Sequence, residues 1–294
     1  MDEVLGARPH RPHLDPGRPI RLGRAGSAGA TAGDGAWHQR FRTATADLRL
    51  LAPAHEAEPL EELATAPIRS WRRVPYASNA VYILELDAAD PSLGRRPMRA
   101  VYKPARGERP LWDFPHRTLH LRERAAYLLS SALGFGIVPP TILRDGPLGP
   151  GSVQLFVTAR KGSLGEEAAA HVETQLRRVA AFDVLANNAD RKSAHLLLDG
   201  SGHLWGIDNA LTFLPYPRQR TVLLQLGGSE LDGADMKAVR RLRDRPERAL
   251  LRGALCRLLS GPEVDAFEAR LEELATHPWY PRLDDWDGRP FEWW

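Results

Sequence analysis

The residues best suited to chemistry lie in the run 178–213, RVAAFDVLANNADRKSAHLLLDGSGHLWGIDNALTF. Val179, Phe182, Val184 and Leu185 make one apolar helical face, and the pattern breaks at Asn187-Asn188. Residues 196–198 and 203–207 then read as two strands around the turn Asp199-Gly200-Ser201-Gly202. If Leu198 pairs with His203, His195 lies opposite Gly206, and Asp208 falls just beyond it at the same end of the hairpin. Asp190, in the loop feeding the first strand, is then a neighbour of Asp208. Two converging carboxylates suit phosphoryl transfer, in which one orients the attacking hydroxyl and the other holds Mg²⁺ on the phosphates. The same two aspartates also suit ordinary turn and strand-end positions.

The second residue with a chemical reading is Lys103, which closes the apolar strand Met98-Arg99-Ala100-Val101-Tyr102-Lys103-Pro104. Only four of the 40 basic residues are lysine, so a lysine there is out of character for this chain. A compact ammonium is what a phosphate needs at close quarters. A surface lysine at a strand end is the plain alternative.

Asn188-x-Asp190-Arg191-Lys192, followed by Gly206-Ile207-Asp208-Asn209-Ala210-Leu211-Thr212-Phe213, resembles the catalytic and metal-binding loops of phosphatidylinositol 3-/4-kinase-like enzymes. The second loop is most similar to that of the type II phosphatidylinositol 4-kinases, Ile-Asp-Asn-Gly-Leu-Ala-Phe. As a whole the chain resembles a bacterial family of phosphatidylinositol-kinase-related proteins, with HipA-like and secretory-pathway kinases more distant. The likeness spans about residues 74–227. It implies an α+β, two-lobed, protein-kinase-like fold, with an N-lobe over 46–157, mainly an antiparallel sheet, and a mainly helical C-lobe over 158–294. It also implies Mg-ATP-dependent transfer of a γ-phosphoryl group to a hydroxyl-bearing acceptor, whether lipid head group, protein or small molecule.

On this resemblance Lys103 binds the α- and β-phosphates and Glu123, on a helix from Thr118 to Leu133 ended by Gly134, orients it. Asp190 positions or deprotonates the acceptor, Arg191 neutralises charge on the transferring group, and Asn188 braces the loop. His195 and Asp208 hold the metal. Ser78 and Asn79, in the loop after a strand near 68–74, cover the phosphates. Gln154 to Val157 contact adenine, with Phe156 as an apolar wall. Arg218 and Arg220 face an acidic acceptor, or are simply solvated. Three departures stand out: His195 replaces an asparagine, Ala210 replaces a glycine, and the phosphate-covering loop has no glycine. They leave open an ATP-binding pseudokinase acting as an interaction module, and an enzyme transferring AMP.

The elements around these residues follow from pattern and composition. At 294 residues and 43% hydrophobic, the chain can form one large domain or two lobes. Its net charge of +3 resides in residues 1–45, a Pro-, Gly- and Arg-rich tail expected to be disordered; the remainder is balanced, which argues against nucleic-acid binding. Cys256 is the only cysteine, and no apolar run approaches the ~18 residues of a membrane span. With no signal-peptide pattern at its start, a cytoplasmic protein is expected. Short helical pieces are expected around Pro53 and Pro59, Trp112 and Phe114 are expected inside a packed loop, and helices are expected over 234–259 and 262–275. The aromatic tail with Trp279, Trp286, Phe291, Trp293 and Trp294 should dock on the larger lobe or anchor peripherally at a membrane.

Overall fold

The computed structural model describes residues 53–75, 77–88, 92, 94, 96–161 and 166–290. The expectations for the basic tail and for Phe291, Trp293 and Trp294 lie outside the described residues. The fold is α+β. Helix α1 (Ala57–Thr65) accommodates Pro59 in its first turn and buries Leu60 and Leu63. Strands β1 (Ile68–Arg73), β2 (Tyr82–Leu86), β3 (Met98–Pro104), β4 (Thr141–Gly146) and β5 (Gly149–Leu155) form one antiparallel sheet in the order β1-β2-β3-β5-β4. In β3, Ala100, Tyr102 and Pro104 are buried and alternate with the less buried Arg99, Val101 and Lys103. Register therefore sends Tyr102 into the core, where its hydroxyl donates to the Gly149 carbonyl at 2.5 Å, and sends Lys103 to the other face.

Helix α2 (Leu119–Leu133) is buried on almost every side. Arg122 is fully paired there, whereas Arg124 has one acceptor and the Tyr127 ring beneath its guanidinium. Arg122 pairs with Glu263 and the Thr212 carbonyl, and Arg124 donates to the Thr141 carbonyl. Gly134 ends the helix in the left-handed region at φ 70°, as expected. The expected Thr118 cap does not form, since its hydroxyl donates to Pro115 O at 2.7 Å. Phe114 is buried, but Trp112 is 84% exposed, contrary to expectation; its ring lies 5.3 Å from the Arg218 guanidinium.

Helix α3 (Glu166–Ala186) leads to the hairpin of β6 (Leu196–Leu198) and β7 (Leu204–Gly206). Its register differs by one residue from expectation: Leu198 pairs with Leu204 and Leu196 with Gly206. The cause is Asp199, whose carboxylate accepts from the backbone N–H of Ser201 (2.8 Å) and His203 (3.1 Å) and from Trp205 Nε1 (2.8 Å), holding His203 in the turn.

Three helices follow, α4 (Gly233–Asp244), α5 (Glu247–Leu255) and α6 (Gly261–Thr276). A single helix over 234–259 is not found, because Arg245 precedes Pro246 and is driven to extended backbone at φ −104°, ψ 158°. Ser260 caps α6 in a reciprocal pair with Glu263. One apolar cluster runs from the sheet through α2 to α3 and α6, joining Leu84, Tyr102, Leu129, Phe182, Phe213 and Phe267. The segment after α6 docks through Tyr280 and Gly288, yet Trp279 and Trp286 are 53% and 88% exposed. Among the described residues no helix is long and apolar enough to cross a membrane.

Candidate functional site

Three distant parts of the chain meet at one ammonium. Lys103 Nζ, from β3, bonds Glu123 Oε1 of α2 and, at 2.7 Å, Asp208 Oδ1 just past β7. Glu123 is 1% exposed, and its other oxygen accepts from the Asn209 backbone N–H at 3.2 Å. Burial alone would lower the Lys103 pKa, but Asp208 and Glu123 outweigh it and raise it above the ordinary lysine value. The Lys103 ammonium holds the Asp208 carboxyl well below the usual range, while burial pushes the Glu123 carboxyl up. Asp208 adopts φ 56°, a left-handed conformation that aspartate tolerates, and its side chain is half exposed to the cleft. Ala210, where a glycine was expected, has no positive φ; the turn places that demand on Asp208 and Phe213 instead.

The loop after α3 is held from beneath. Asn188 Nδ2 donates to Asp183 Oδ1 at 2.9 Å, and its Oδ1 accepts from the Asp190 backbone N–H at 3.0 Å, which is the bracing expected of it. Arg191 differs from expectation. Its guanidinium is fully buried, donating to both oxygens of Asp183, to Ile207 O and to Asn209 Oδ1. It ties the loop to the residues flanking Asp208, and none of its charge is turned toward a transferring group. The cation beside Asp190 is Lys192, at 2.9 Å. Burial pushes the Asp190 carboxyl up, with Lys192 opposing.

The His195 backbone carbonyl accepts from Ile207 N–H at 2.9 Å, which carries Asp208 to the imidazole: Nε2 lies 3.4 Å from Asp208 Oδ2. Nδ1 accepts from the Lys192 backbone N–H at 3.4 Å, which leaves the ring proton on Nε2. Burial lowers the imidazole pKa, favouring the neutral ring. In this tautomer both ring nitrogens are committed, Nδ1 to the Lys192 N–H and Nε2 to its own proton, so neither offers a metal a lone pair. Among the described residues no three His, Cys, Asp or Glu side chains gather as a ready-made metal cage.

Ser78 and Asn79 do line this cleft, together with Lys103, Lys192, His195 and Asp208, around a cavity of about 270 Å³. Asn79 Oδ1 is engaged as a latch, accepting from Arg109 N–H at 2.9 Å. The glycine missing from the loop sits below it: a Cβ on Gly107 would fall 2.1 Å from Ala80 Cβ, and Ala80 N–H bonds Gly107 O at 3.1 Å. The next residue, Glu108, accepts from both the backbone N–H (3.1 Å) and ring Nδ1 (2.9 Å) of His120, so residues 107–109 fasten the loop to the start of α2.

The linker residues are not brought to the cleft. Gln154 is buried and donates to Thr141 Oγ1 at 2.9 Å, and Phe156 faces the Arg99 guanidinium at 4.2 Å. Arg218 and Arg220 do not line this cleft; they line a larger cavity of about 670 Å³.

No family model matches the chain. Protein Rv2133c of Mycobacterium tuberculosis is 36% identical to it over 270 residues, covering 79% of this chain and 93% of that protein. The chain belongs to the same family. The Rv2133c family name states no activity, so the functional reading for this member rests on its cleft.

Sequence reasoning missed Asp183, Lys192, Asn209, Glu108 and His120. Two left a signal. Asp183 is a carboxylate on the apolar face formed by Val179 and Phe182, and Lys192 is as rare a lysine as Lys103.

Proposed function

We propose that this member of the Rv2133c family is a Mg-ATP-dependent phosphotransferase with a two-lobed, kinase-like fold, related to the phosphatidylinositol-kinase type. The observation that carries the reading is the Lys103 ammonium shared by the buried Glu123 and by Asp208, beneath the loop of Ser78 and Asn79. One cation and two carboxylates, from a strand, a helix and a loop, converge on a cavity, an arrangement suited to holding metal-bound phosphates.

In this reading Lys103 binds the nucleotide phosphates, and Glu123 fixes where its ammonium points. Asp208 would hold Mg²⁺, since an oxygen donor is what that ion prefers; His195 would suit it less. The bound metal supplies neutralisation of phosphate charge. Asp190 accepts the proton of the acceptor hydroxyl as the oxygen attacks, and its burial makes it a better base than an exposed carboxylate. Lys192 takes the charge-neutralising role first expected of Arg191, which instead holds the loop. The reaction is assigned to the cytoplasm, where the lone Cys256 stays reduced.

A second reading, an ATP-binding pseudokinase, draws on one observation: both Asp208 oxygens already face partners, Lys103 and His195. Transfer of AMP on the same fold is the third. Product analysis after incubation with Mg-ATP separates them, as ADP marks phosphoryl transfer, pyrophosphate marks AMP transfer, and neither marks the pseudokinase. Asp190→Ala should lower ADP release at least ~100-fold, the usual worth of a positioned base. Full turnover in that variant would remove Asp190 from the mechanism.

A further inference from the structure

The larger cavity, about 670 Å³, falls in the range of small-molecule sites and shares no lining residue with the cleft. Its apolar wall comes from Val184 of α3, Pro215, Pro217, Ala266 and Ala269 of α6, and Leu283. Arg218, Arg220 and Arg270 also line it, against the carboxylates of Asp284 and Asp287. Three guanidiniums against two carboxylates leave an excess of positive charge.

Arg270 is held in a way that conserves its charge. Arg270 donates to two backbone carbonyls, Leu185 O at 2.9 Å and Leu214 O at 3.4 Å, while its Nη2 is buried with no hydrogen-bond partner. Among the described residues no carboxylate offsets it, and burial pushes its guanidinium down to about 10. Arg220 donates to the Asp287 carbonyl at 3.0 Å, and Arg218 meets the Trp112 ring and makes a loose 3.7 Å contact with Asp113. Asp284, by contrast, is turned onto its own backbone, accepting from Trp286 N–H at 2.8 Å and Asp287 N–H at 3.1 Å. A part-buried cation bonded only to neutral groups beside an apolar cavity favours an occupant carrying a negative charge at one end.

We propose that this cavity binds a small amphipathic anion, an apolar body ending in a carboxylate or phosphate, with the anionic end toward Arg270 and the body against Val184, Ala266 and Ala269. Such an occupant also touches the supports of the catalytic loop. Asn187 lines the cavity, and its amide donates to Leu214 O and Tyr216 O and accepts from Arg218 N–H. Arg220 N–H bonds Asn188 O at 2.9 Å, and Arg191 N–H bonds Arg220 O at 3.0 Å. The inference does not depend on the nucleotide reading, because it concerns a different cavity.

The test is calorimetric titration of the full chain with octyl phosphate, octanoate and the neutral octanol, each below its aggregation concentration. The expected result is binding of one or both anions at least 10-fold tighter than octanol, unaffected by saturating Mg-ATP. Ala269→Phe fills the cavity from an exposed helix position and should weaken the anions at least 10-fold; Arg270→Met should abolish the preference over octanol. Binding of octanol as tight as the anions would overturn the proposal, as would unchanged affinity in Ala269→Phe, which remains informative even where Arg270→Met folds poorly. Displacement by Mg-ATP would place the anions in the cleft and overturn it as well.

Discussion

Arg191→Met lowers the stability of the whole chain by about 3–5 kcal/mol, the usual cost of removing one partner from a buried ion pair. At roughly 2–4 °C per kcal/mol, the melting temperature falls by roughly 6–20 °C. The reason is that Arg191 and Asp183 are both 0% exposed, so methionine leaves a carboxylate buried in apolar surroundings with only Asn188 Nδ2 to satisfy it. The same change unties Ile207 O and Asn209 Oδ1, the groups on either side of Asp208. A thermal melt followed by circular dichroism checks this. Unchanged stability with lost turnover would return Arg191 to a role on the transferring group.

Lys103→Met weakens Mg-ATP binding about 10–150-fold, which corresponds to the 1.5–3 kcal/mol of a charge-assisted hydrogen bond. Lys103→Arg does not restore it, because a planar fork cannot replace a point charge wedged between Glu123 and Asp208. Titration calorimetry on folded variants reads both. Equal affinity in parent and Lys103→Met would detach this lysine from any phosphate.

Much of the site was legible because local pattern and chemistry agree there. The apolar alternation of residues 98–104 and the scarcity of lysine pointed to Lys103, and the strand is found with the same bounds. Gly134 marked the end of the Glu123 helix, and its left-handed φ confirms why. What was not legible depends on side chains meeting across the fold. The hairpin slipped by one residue because the Asp199 carboxylate gathers the N–H groups of its own turn, an option that strand alternation does not encode. Arg191 read as a loop arginine facing the chemistry; only the arrival of Asp183 from the preceding helix makes it an internal strut. Trp112 was assigned inward by its apolarity, yet the Arg218 guanidinium gives its ring a partner at the surface. Gln154 and Phe156 sit at the expected end of β5, but Thr141 and Arg99 claim their side chains.

The most direct test of the account is a pair of melting curves, with and without Mg-ATP, for the parent chain and for Asp208→Ala. Nucleotide at ~100 times its dissociation constant stabilises a folded protein by about 2.7 kcal/mol, a rise of several degrees. The account predicts that rise in the parent only with magnesium present, and its loss in Asp208→Ala. No rise at millimolar Mg-ATP, or the same rise in both proteins, would contradict it.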